Sequence, residues 1–237
     1  MFLSFEERIL QLVKLQDPQN PLAYVQDIVR DFAIEKLALA MDACEECVPK
    51  DEMRSKMHGN VRAPIMVISD KPTREQLENG YTAPLEGTEG LNMLNKLWDH
   101  FEVPEDKLFY INAVNFAPFK DVNGDKIDRI PSKTEIDACS PFLFHAIDIV
   151  KPKVILLLGP IVSNIFKQEA FSKVRGEWIS ARGIPAMPTY HPNTLADYEG
   201  KLDADSLQDK KDEFVFDVEN LVNYLKENHS GALSDEI

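Results

Sequence analysis

Three polar residues stand where short apolar runs end: Asp70 after Ile65-Met66-Val67-Ile68-Ser69, Asn112 after Leu108-Phe109-Tyr110-Ile111, and His191 after Ile184 to Tyr190. A carboxylate, an amide and an imidazole can together place a water, read the edge of a heterocycle and stabilise a developing anion. Taken singly, each has a blander reading, because a loop Asp, Asn or His is more often a cap or a surface residue than a catalyst. The cysteines form a second constellation, Cys44-Glu45-Glu46-Cys47 and Cys139. Three is an odd number, and nothing near the N-terminus reads as a signal peptide, so metal binding or simple burial is expected rather than a disulfide framework.

Groups at separate chain positions meet only if the elements beneath them are stacked in order. The runs Ala63 to Ser69, Leu108 to Val114, Val154 to Leu158 and Ile184 to Tyr190 read as buried parallel strands. Helical spacing occupies Leu91 to Phe101, Thr134 to Val150 and Ile161 to Gln168 between them, and Phe5 to Leu15 and Tyr24 to Met41 before them. Strands alternating with helices predict an α/β fold whose mostly parallel sheet is covered on both faces, with ligands beyond the carboxyl ends of the strands. The segment Lys120 to Lys133, which contains Asn123-Gly124-Asp125, reads as a surface loop.

A chain of 237 residues, 44% hydrophobic, supports one well-packed core. No stretch approaches the roughly 18 apolar residues of a membrane span, and a cytoplasmic protein is expected. The net charge of -14 argues against a general nucleic-acid binder. That charge is uneven: residues 196–237 hold 12 Asp and Glu against 4 Lys and Arg, a net of -8, which leaves -6 for the preceding 195. The acidic end is read as a solvated helical face followed by a flexible tail over 229–237.

The order of short motifs along the chain resembles the uracil-DNA glycosylase superfamily, closest to its iron-sulfur, family-four branch. His58-Gly59-Asn60 leads into the first strand, and Ser69-Asp70-Lys71-Pro72-Thr73 is similar to the motif Gly-Glu-Ala-Pro-Gly. Gly80, Pro84-Leu85, Gly87 and Gly90 follow a glycine-rich stretch of that family, and Tyr110 to Val114 its asparagine motif. Pro131, Thr134, Cys139, Pro152-Lys153-Val154, Leu158-Gly159, Arg175-Gly176-x-Trp178 and Thr189-Tyr190-His191-Pro192 continue the match. The resemblance runs over about residues 25 to 227, where many weak matches in one order reinforce each other. It implies a three-layer α/β/α fold around a four-stranded, mostly parallel sheet, with residues 1–24 as a helical extension and 25–228 as the glycosylase-like domain.

The resemblance also implies a reaction, hydrolysis of the bond between uracil and deoxyribose in DNA. His191 would stabilise charge on uracil O2, and Asp70 would position water or stabilise the cationic sugar. Asn112 would read the pairing edge of a base turned out of the duplex. Leu85 would form the pocket wall where the family has Phe, with Lys71 and Pro72 also at the substrate. Lys71 and Arg74, with Lys120, Lys126 and Arg175, would make a basic rim for phosphates. Cys44, Cys47 and Cys139 match three of the family's four cluster ligands, so a [4Fe-4S] cluster is implied with an incomplete set, Phe116 standing at the fourth place. Two other readings keep the fold: a binding or scaffold subunit in a replication or repair complex with catalysis reduced, motivated by Lys71, Leu85 and Phe116, and a glycosylase for another deaminated base.

Overall fold

The computed structural model describes residues 21–47, 52–197 and 201–234. The expected helix Phe5 to Leu15 lies outside them. The first described helix, α1 (Pro21–Ala43), runs through the expected boundary at residue 24 without a break.

Four strands, β2 (Ile65–Ser69), β3 (Leu108–Asn112), β6 (Val154–Leu158) and β8 (Ile184–Thr189), form the parallel centre of the sheet. Two short antiparallel strands, β1 (His58–Gly59) and β7 (Ile179–Ala181), extend it to the order β1-β3-β2-β6-β8-β7. The four expected strands are therefore all present, and the sheet is wider by two edges. Every residue of β2, β3 and β6 is buried, as a sheet covered on both faces requires.

Successive side chains alternate between two cores, because strand side chains point to opposite faces. Met66, Ile68, Phe109, Ile111, Ile155 and Leu157 enter one cluster, closed by Leu37 and Met41 of α1 and by Leu143, Ala146, Ile147 and Val150 of a long helix over residues 133–150. Ile65, Val67, Leu108, Tyr110, Val154 and Leu156 enter the other, closed by Leu94 and Trp98 and by Phe214, Val218, Leu221, Val222 and Leu225. Three layers result. The covering helices that follow α1 are α2 (Arg74–Glu78), α3 (Glu89–His100), α4 (Lys133–Val150), α5 (Pro160–Phe166), α6 (Phe171–Val174), α7 (Pro192–Asp197) and α8 (Ala204–Asn228). Capping boxes start two of them, Thr73 with Gln76 at α2 and Ser132 with Glu135 at α4, the side chain and backbone satisfying each other's orphan groups.

The segment expected as a loop from Lys120 to Lys133 instead contains a hairpin, β4 (Phe119–Val122) paired with β5 (Asp125–Asp128). Asn123 and Gly124 both take positive φ, 57° and 93°, which suits the twist of a two-residue hairpin turn. Its strands are mostly exposed and alternate charge rather than apolar residues, so no hydrophobic period announced them. At the other end of the chain, Ala232 and Leu233 of the expected tail pack on the second core and Lys107 Nζ donates to the Ser234 carbonyl. Among the described residues no helix is long and apolar enough to cross a membrane.

Candidate active site

Parallel pairing puts β2 beside β3 in the register Ser69 opposite Asn112, and β6 beside β8 in the register Leu158 opposite Thr189. The chain ends of these strands thus bring Asp70, Asn112 and His191 to one edge of the sheet. The approach at the centre is close: Gly159, at φ 87°, lies where an added Cβ would stand 3.2 Å from His191 Cβ. A side chain there would push the histidine away, so the Leu158-Gly159 turn fixes how near His191 comes to β2.

His191 Nε2 lies 3.0 Å from Ser69 Oγ and 3.4 Å from Asp70 Oδ1. Asp70 Oδ1 also accepts the Lys71 backbone N–H at 2.7 Å. Burial works to raise the Asp70 pKa, but the hydrogen bond and charge of His191, helped by the Lys71 N–H and charge, hold it below the ordinary carboxylate value. Asp70 is therefore an anion at neutral pH, placed against an imidazole.

Asn112 is buried and donates through Nδ2 to Ser55 Oγ at 3.0 Å. Its Oδ1 is also buried and has no partner. A buried acceptor left open costs about 1–3 kcal/mol, a cost that a ligand donor would remove. Ser55, absent from the sequence expectations, is held in turn by its backbone N–H to the Asn115 carbonyl at 2.7 Å; no motif marks it.

The acidic helix expected to face solvent carries one buried acid beside the strand end that leads to His191. Asp217 of α8 is fully buried, accepts from Thr189 Oγ1 at 2.7 Å and takes Arg175 Nη1 at 3.1 Å on both oxygens. Burial raises its pKa despite Thr189 and Arg175. The signal was present: residues 214, 217, 218, 221, 222 and 225 share one helical face, and Asp217 is the polar member of an otherwise apolar stripe. Tyr190, between Thr189 and His191, donates to Glu213 Oε2 at 2.8 Å under Arg175 and Lys210.

The other expected site residues fall as follows. Leu85, 3% exposed at φ 63°, belongs to the second core. Lys71 and buried Pro72 continue the loop after Asp70. Of the expected basic rim, Arg74 and Lys126 share Glu52 and both sit over the Phe119 ring, and Arg175 is engaged by Asp217 and Glu213. Three of the five rim cations are thus already paired within the protein.

Cys44 and Cys47, just after α1, are neighbours of Cys139 on α4. Cys139 packs with Val114 and Phe116, with Cys47 and Ile136 alongside. Phe116 is almost fully buried, and among the described residues no group of three or more His, Cys, Asp or Glu is arranged to hold a metal ion. Burial pushes the Cys139 thiol up to about 12, with the other two cysteines and Glu135 adding to it. The donor set does not fit a four-thiolate cluster. Asn115 Nδ2 donates to the Met41 carbonyl, which ties the end of α1 to the segment after β3, and Arg54, bridged to Phe116, donates to the Cys44 carbonyl.

The family model described as the uracil DNA glycosylase superfamily matches residues 57–219. The type-4 uracil-DNA glycosylase of Sulfurisphaera tokodaii is 30% identical over 172 residues, 68% of this chain and 74% of the relative. The type-4 enzyme of Thermotoga maritima is 28% identical over 143 residues, 58% of this chain and 68% of the relative. That of Saccharolobus solfataricus is 31% identical over 144 residues, 56% of this chain and 62% of the relative. The matched span runs from β1 into α8 and carries all three strand-end groups; the chain belongs to the uracil DNA glycosylase superfamily.

Proposed function

We propose that this protein hydrolyses the N-glycosidic bond of uracil in DNA, as the first step of base-excision repair. The observation that carries the reading is the open, buried Oδ1 of Asn112 at the strand ends that also bear Asp70 and His191. Uracil offers N3–H to that oxygen and O4 to the second Nδ2 hydrogen. Cytosine reverses both partners and would leave buried polar groups unpaired, which a closed site rejects strongly.

As the C1′–N1 bond breaks, its electron pair leaves with uracil and the sugar becomes cationic. His191 donates to O2 as the base gathers negative charge; one such preorganised donor contributes about 3–4 kcal/mol. Asp70, kept ionised, stabilises the sugar and orients the water whose oxygen adds to C1′. Leu85 supports the wall beneath the base, and Lys71 and Pro72 border the entry. No lysine takes part as a nucleophile, so the strand is left intact until alkali cleaves the abasic site. These steps use the chain's own side chains alone; Cys44, Cys47 and Cys139 offer three thiols, one short of a four-thiolate shell.

The test is uracil release from a single-stranded oligonucleotide by the wild type, His191→Ala and Asn112→Ala. Release by the wild type and a loss of about 100-fold or more in each variant supports the assignment. An intact oligonucleotide with folded wild type, beside an active control, refutes it.

A further inference from the structure

The residue that precedes the catalytic acid has a hydroxyl, and it meets the same imidazole nitrogen as that acid. Ser69, the last residue of β2, is 1% exposed, and its Oγ is nearer to His191 Nε2 than Asp70 Oδ1 is, 3.0 Å against 3.4 Å. Unobstructed charge-assisted pairs of nitrogen and carboxylate close to about 2.7–2.9 Å. The wider gap coincides with a competing hydroxyl on the same nitrogen, while Asp70 Oδ1 is anchored at 2.7 Å by the Lys71 N–H. The motif that this segment resembles has glycine at the Ser69 position, so the hydroxyl is a feature of this chain.

We propose that Ser69 is a positioning residue, a wedge whose hydroxyl takes the near place on His191 Nε2 and holds the His191–Asp70 pair at 3.4 Å rather than at full closure, leaving the imidazole as donor to the base and the carboxylate for the sugar. The wedge rests on the reading of His191 and Asp70 as the catalytic pair.

The charged groups around that pair are few. Lys71 acts on Asp70 from the next position. The β6–α5 turn brings the neutral Gly159 against His191, and β3 ends in the neutral Asn112. On α7, Asn193 and Thr194 are neutral and Asp197 lies in the last turn. Arg175 and Glu213 gather on the neighbouring Tyr190. Asp70 is therefore the partner through which removal of the hydroxyl should act.

The experiment is an NMR titration of the His191 ring in the full chain, for wild type, Ser69→Ala, Asp70→Asn and the double variant, with kcat and KM for uracil release measured in parallel. Without the hydroxyl the pair closes, and the His191 pKa rises by about one unit, a shift typical of a newly tightened opposite charge. That rise disappears in the Asp70→Asn background, and kcat falls about tenfold at unchanged KM, the sign of an interaction lost in the transition state. Ser69→Gly, which removes the same hydroxyl without adding bulk, gives the same shift and guards against a packing artefact. A His191 titration unmoved in both Ser69 variants, or moved equally without Asp70, overturns the wedge. The titration reads the wedge even in a protein that releases no uracil, so its failure and that of the glycosylase reading are separable.

Discussion

Asp217 allows two opposite expectations, and the structure decides between them. Its three contacts, one from Thr189 at 2.7 Å and two from Arg175 at 3.1 Å, suggest that the charge itself is valuable. Yet its pKa is raised, burial outweighing both partners, so the fold disfavours the charge relative to water. Asp217→Asn keeps an acceptor for Thr189 and removes the buried charge. Its amide N–H2 faces Arg175, which is 22% exposed and can turn to water. The two effects oppose each other, and the variant should lie within about 1 kcal/mol of wild type. Asp217→Ala leaves the fully buried Thr189 hydroxyl unpaired beside a cavity and should cost about 3–5 kcal/mol. Urea unfolding at pH 7 with an unchanged slope reads the difference. The pH dependence has a definite sign: an acid with a raised folded pKa contributes most below its ordinary value of 3.8 and loses that contribution as pH rises through the raised value. Wild type should therefore gain on Asp217→Asn as pH falls through that window. An Asn variant as unstable as the Ala variant would refute the view that burial outweighs the ion pair.

Glu135, held down to about 2 chiefly by its paired hydrogen bonds from Arg129 at 2.7 Å each, contributes stability that is present above 4.5 and is lost as pH falls toward 2. With Arg129 about a third exposed, Glu135→Gln should cost about 1–2 kcal/mol at pH 7 after solvent screening, and should flatten the acid limb of a stability profile. Anaerobically purified wild type should carry well under one cluster's worth of iron and sulfide per chain, while Phe116→Cys, which completes four thiols, should raise both; stoichiometric iron in the wild type would count against the misfit. Asp70→Asn should lower kcat by about 100-fold and remove the acid limb of its pH profile, and a profile with that limb intact would assign the ionisation elsewhere.

The layered fold was legible because its cause is repetitive. Four apolar runs and the helical spacing between them each carry their own period, and parallel register then puts Ser69 beside Asn112 without further information. The three strand-end groups were legible for the same reason, since each closes a run. What escaped were residues that act through one contact across the fold. Ser55 closes no apolar run, and only tertiary packing brings its hydroxyl to Asn112, 57 positions away. Asp217 was counted with the charges of an acidic helix, though its place in the apolar stripe of Phe214, Val218 and Leu221 already set it apart. The β4–β5 hairpin had a turn signal in Asn123-Gly124 but no buried face to give its strands a period.

Asp70 and His191 are only partly buried, so their own burial does not hold them in place. The buried groups that do are Ser69 and Thr189, whose chain neighbours are Asp70 and Tyr190, and Asp217 behind them. His191 is consequently held from two sides: Ser69 contacts its ring, and the Thr189–Asp217 bond fixes the strand end from which it projects. Loss of the first contact should change how the imidazole ionises. Loss of the second should shift its position while leaving its ionisation nearly as it was, since Asp217 acts on the Thr189 side chain two residues away. Substitutions at 69 and 217 therefore affect the same histidine through separable observables, and an Asp217→Ala protein that moved the His191 titration as far as Ser69→Ala would show that the two supports are one.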